Sequence, residues 1–84
     1  MNHDSGVEAN ASFRSYLQRF ELSLLDVALA ARVRLLTVWR LAQGLPVREA
    51  DAQMIRAGLL RLTGVPYSGQ MALIPADQGV RMQA

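Results

Sequence analysis

Val27–Gly44, VALAARVRLLTVWRLAQG, reads as two short helices joined by a tight turn. Val27, Ala28 and Ala31 lie one, three and four positions apart, so an α-helix sets them on one face. Val33 falls in the turn, and Val38 and Leu41 recur three apart on the second helix. Ala28 is small enough to let two helices cross closely, and the branched Val38 and Leu41 fill such a crossing. The two helices are expected over about 24–31 and 35–43. Ser23 suits the N-cap of the first, because its hydroxyl accepts an amide hydrogen from the first turn. Gly44 and Pro46 close the second, since glycine ends helices and a following proline prevents their continuation.

This pattern resembles the helix-turn-helix of phage-repressor and Cro-type (Xre-like) transcription regulators, over roughly residues 13–65. Two positions depart from it. Leu24 stands where the family often has a glutamine that touches phosphate. Arg32 stands where the turn usually has glycine, a residue tolerant of positive φ. An arginine there is strained, or the turn follows another path. The resemblance implies a DNA-binding regulator of transcription, with double-stranded DNA as partner and helix 35–43 in the major groove. The residues facing DNA are then Arg34, Leu35, Leu36, Thr37, Trp39, Arg40 and Gln43. Arg34, at the helix entry, suits a phosphate, and Arg40 a guanine edge or a phosphate. Thr37 and Leu35 suit a thymine methyl, and Gln43 an adenine or a phosphate. A module this small reads few base pairs, so a homodimer is expected. Thr37–Val38 is also similar to the start of the recognition helix in sigma-factor-like proteins, which keeps DNA as partner.

Helix 35–43 is unusually apolar for that role. Leu36 and Trp39 belong to the core, or touch base edges and sugars, or anchor a protein interface. The last reading gives an alternative function. It is a helix-turn-helix fold kept as a protein-interaction module (an accessory subunit or antitoxin-like protein), with a protein partner at Leu35, Leu36 and Trp39 and little DNA binding.

All nine basic residues are arginine, against seven acids, for a formal net charge of +2. Arginine's planar fork fits phosphates and guanine edges. A GC-rich genome produces the same bias, so the bias alone is weak. Between Ser23 and Gly44 three arginines face one acid, Asp26, a local balance of +2 that permits DNA binding. With no cysteine, neither disulfides nor thiolate metal sites are available. Arginines or aspartates interrupt every apolar run before the ~20 residues a membrane span requires. The N-terminal MNHDSGVEAN lacks the basic and apolar regions of a secretory signal, so a cytoplasmic protein is expected.

The chain as a whole reads as an all-α fold of four to five helices containing the helix-turn-helix. Residues 1–10 read as a disordered leader, 11–65 as the domain, and 66–84 as a tail suited to dimerisation. Ser12 is the expected N-cap of a first helix bearing Phe13, Tyr16, Leu17 and Phe20. A fourth helix is expected from Arg48 to about Thr63, with Ala50, Met54, Ala57, Gly58 and Leu62 as its stripe and Gly64 as its end. Gly58 costs such a helix ~1 kcal/mol relative to alanine, which a close approach to another helix would justify. The tail is either irregular or a short β-hairpin of Gln70–Ile74 and Val80–Gln83.

Catalysis has little support. The single histidine, His3, falls in the leader, and the serines have no base near them in an ordered region. Glu49 and Asp51 suit the dipole at the start of the fourth helix. No glycine-rich phosphate loop or metal-ligand cluster is present, and no cofactor is expected.

Overall fold

The computed structural model describes residues 5–75, with side chains from Ser12 onward. Four α-helices make up most of that span: α1 (Ser5–Arg19), α2 (Leu24–Ala31), α3 (Leu35–Ala42) and α4 (Glu49–Thr63). The described part is all-helical, its only β feature a single parallel bridge between Val47 and Leu73.

Helix α2 begins where its cap is strongest. The Ser23 hydroxyl accepts from the Asp26 amide at 3.0 Å, and the Asp26 carboxylate accepts from the Ser23 amide at 2.9 Å. This reciprocal box satisfies two donors that the first turn leaves open. At the other end Arg32 turns the chain with φ of 60°, the left-handed region. The arginine therefore follows the path that suits glycine and carries the strain of doing so, on the order of 1–3 kcal/mol. Gly44 and Gly64, after α3 and α4, adopt the same conformation without that penalty.

Helix α1 begins earlier than the sequence suggests. It opens at Ser5, so Ser12 lies within it rather than at its N-cap, and residues 5–10 form its first turns instead of a leader. Those residues show no apolar stripe, but a helix already nucleated by packed turns needs none to extend. Glu8, Ala9 and Ala11 favour that extension. Residues 1–4, including His3, lie outside the described residues.

The core draws on every helix. Phe13, Tyr16 and Leu17 come from α1, with Phe20 packed beside them, and Val27, Ala28 and Ala31 come from α2. Helix α3 adds Val38, Leu41 and Ala42. Burying a side chain such as Val38 or Ile55 completely contributes ~1.5–3 kcal/mol. In α4 the buried face is Ala52, Ile55, Gly58 and Leu59, and the expected stripe is displaced. Ala50, Met54, Ala57 and Leu62 are exposed. Helix α4 is apolar on several sides, so residue spacing gives two stripes and only packing selects between them. Gly58 belongs to both. A β-carbon there would sit 2.9 Å from the Cα and the N of Ala31. Gly58 thus marks a close crossing of α4 over Ala31 of α2, the approach that offsets the cost of a glycine within the helix.

Three arginines hold this frame together. Arg14 Nε donates to the carbonyl of Ala42 at the end of α3, at 2.9 Å, and Arg61 donates to Ala30 near the end of α2. Cations there complement the negative end of the helix dipole. Arg56 grips the segment after α4, donating to the carbonyls of Tyr67 (2.6 Å) and Gly69 (2.8 Å). Packing therefore continues past the expected boundary at residue 65. Tyr67 is buried, with its ring edge-on to Phe13 and Tyr16 at centroid distances of 5.8 and 5.4 Å. Further along, the Val47 amide donates to Ala72 (3.0 Å) and the Ile74 amide to Val47 (2.9 Å). That bridge is what stands where the strand 70–74 was expected. The other arm, 80–83, lies outside the described residues. Among the described residues no helix is long and apolar enough to cross a membrane.

Candidate nucleic-acid interface

Helix α3 buries Val38, Leu41 and Ala42, and the rest of its circumference is uncovered to different degrees. Two surfaces with opposite chemistry flank it.

The first is cationic. Arg32 and Arg34 from the α2–α3 turn, Arg40 from α3 and Arg48 at the start of α4 line one cleft of about 320 Å³. Thr37, Val47 and Ile74 form part of its wall, and Asp51 is its one acid. Four guanidinium groups against one carboxylate leave a local charge of +3. Arg48 meets Asp51 only loosely, at 3.7 Å, and the Arg48 side chain stays largely exposed. Arg40 lies half-buried, its Nη2 donating to the carbonyl of Pro46 at 3.4 Å, which draws it toward the cleft.

The N-terminus of α3 opens beside this cleft. Its N-cap is Arg34, which supplies no side-chain acceptor to the first turn. The N-terminus of α2 is closed by contrast, because the Asp26 carboxylate occupies its first turn. An anion is therefore favoured at α3, where dipole and arginines act together, and disfavoured at α2, where a carboxylate already sits.

The second surface is apolar. Leu35, Leu36 and Trp39 of α3 adjoin Leu24 and Leu25 of α2 around a shallow hollow. Leu35 is 47% exposed, Leu36 57% and Trp39 44%. The reading that places Leu36 and Trp39 in the core does not hold among the described residues: both are exposed, off the arc of Val38, Leu41 and Ala42. Gln43, the C-cap of α3, is exposed at the far end, lining a groove with Arg14 and Ser23.

The seven residues singled out in the sequence thus divide. Arg34, Thr37 and Arg40 converge on the cationic cleft; Leu35, Leu36 and Trp39 form the apolar flank; Gln43 stands apart. Arg32 and Arg48 complete the cleft and were not among them. Arg32 was visible only as an anomaly in the turn, and Arg48 only as a helix start. No group of three or more histidine, cysteine or acidic side chains among the described residues could hold a metal ion. Comparison of the chain with protein-family models, curated proteins and solved structures finds no match.

Proposed function

We propose that α2 and α3 act as a helix-turn-helix that binds double-stranded DNA, with α3 entering the major groove and the cationic cleft seated on the adjoining phosphates. The convergence of Arg32, Arg34, Arg40 and Arg48 beside the open N-terminus of α3 carries this reading. The other described arginines serve different ends: Arg14, Arg56 and Arg61 bond backbone carbonyls, and Arg19 lies over the Phe20 ring. Among the described residues the cleft arginines are held more slightly: Arg40 bonds the Pro46 carbonyl at 3.4 Å and Arg48 meets Asp51 at 3.7 Å. On this reading the protein regulates transcription, and two copies supply a site of useful length.

The test is retention of random-sequence duplex DNA by the full chain at two salt concentrations. Four phosphate contacts give a slope of log K against log salt of roughly −3 to −4. Failure to retain duplex at low salt overturns the reading.

The uncovered apolar flank favours a second reading, a protein-interaction module. It predicts weak DNA binding throughout and loss of a protein partner on substitution of Leu35 or Trp39.

A further inference from the structure

Resting on the reading that α3 enters the major groove, we propose that Leu35, Leu36 and Trp39 select thymine by packing against its C5 methyl group. The argument begins with what α3 can offer a base edge. Its exposed side chains are Leu35, Leu36, Trp39 and Gln43, with Thr37 and Arg40 half-buried at the cleft. Arg40 is drawn toward Pro46 and the cationic cleft. Gln43, beyond the last turn, is then the one exposed hydrogen-bonding reader clear of the cleft.

Guanine, adenine and cytosine announce themselves in the major groove through donors and acceptors, whereas thymine alone adds an apolar group there. Leucine and tryptophan set against the polar edges would leave those edges without partners, which is unfavourable. Against a methyl group they are complementary. Charge places them there. The cleft on one flank of α3 fixes a phosphate strand, and the surface next to a phosphate strand in a groove is the row of base edges. Leu35 and Leu36 open the helix, and the first residues of a recognition helix are the ones that reach deepest toward the bases.

The experiment uses duplexes enriched from a random pool by the full chain, then resynthesised with deoxyuridine for thymidine, one position at a time. This change deletes the methyl and keeps every hydrogen bond. Loss of a buried methyl at a contacted position should weaken binding about 3- to 4-fold, which is ~0.8 kcal/mol. Leu36→Ser and Trp39→Ala, both at exposed positions, should stay folded by circular dichroism and keep the salt slope. They should lose the preference for thymidine over deoxyuridine. Equal affinity for both duplexes at every position overturns the proposal while leaving DNA binding intact. Failure to retain any duplex at low salt overturns both, and retention without enrichment of any sequence overturns the proposal alone. If Leu36→Ser leaves the preference unchanged but dissociates a self-associated species in sedimentation, the flank is a seam between copies and the proposal falls.

Discussion

Gly58 lies against the backbone of Ala31 so closely that a β-carbon at residue 58 would stand 2.9 Å from Ala31 Cα and N. The atoms it would meet are the backbone and Cβ of Ala31, which cannot swing aside as the end of a flexible side chain can. Helix propensity alone makes Gly58→Ala favourable by ~1 kcal/mol. Overpacking opposes it by ~1–3 kcal/mol or more and decides the sign. Thermal denaturation of Gly58→Ala should therefore show a lower Tm than the parent. A higher Tm would mean that α2 and α4 can part without loss.

Arg32 and Glu21 both hold left-handed backbone, with φ of 60° and 55°. Replacing either with glycine relieves ~1–2 kcal/mol of strain, partly offset by the greater freedom of glycine in the unfolded chain. Each variant should gain up to ~1 kcal/mol in denaturant unfolding. They should differ in DNA binding: Arg32→Gly weakens it, since Arg32 lines the cleft, whereas Glu21→Gly does not. Equal binding by both would remove Arg32 from the interface.

Arg34→Ala and Arg48→Ala should each lower the salt slope of duplex binding by about one unit and weaken all sequences alike. Arg61→Ala, which loses a bond to the Ala30 carbonyl near the end of α2, serves as the contrast. It should cost stability of ~0.5–1.5 kcal/mol and leave the slope unchanged. A slope that moves equally in all three would indicate general charge rather than a built cleft.

Burial raises the Tyr67 phenol above its usual 10.0, and the nearby Arg56 guanidinium only partly offsets this. The fold thus favours the neutral phenol. Its contribution to stability is fully present below pH about 10 and is lost as the pH climbs through the higher folded value. Tyr67→Phe should remain within ~1 kcal/mol of the parent at neutral pH, since the phenol's bond to the Gln70 carbonyl is long at 3.4 Å. Alkaline unfolding curves should then fall less steeply for the variant than for the parent.

Helices α2 and α3 were legible in the sequence because caps, breakers and apolar spacing agree there within a few residues. The Ser23 cap, the turn at Arg32 and the stop at Gly44 are all local signals. Helix α4 was legible in extent but not in phase, since Met54, Leu60 and Leu62 supply apolar side chains off the buried face. Tyr67 read as turn chemistry because its neighbours Pro66, Ser68 and Gly69 are turn formers; its burial depends on α1, far away in the chain. The cleft was half legible for the same reason. Arg34 and Arg40 share a helix with the motif, while Arg48 joins them only because the chain doubles back after α3. Whether Leu36 and Trp39 are covered depends on what crosses α3, which no local pattern encodes.

Val47 exchanges both hydrogen bonds of its bridge with residues 72 and 74, across the whole of α4. The loop that sets Arg48 beside Arg40 is therefore pinned by the part of the described chain that is synthesised last. Local helices form in about a microsecond, but this closure must wait for a long loop to be brought together. In a growing chain Arg32, Arg34 and Arg40 come together with α2 and α3, whereas Arg48 would be fixed beside them only once the closing segment arrives, so the full cationic cleft would be complete only then. In the finished protein the same bridge is a place for local opening, and the Val47 and Ile74 amides should exchange hydrogen faster than those in the middle of α4.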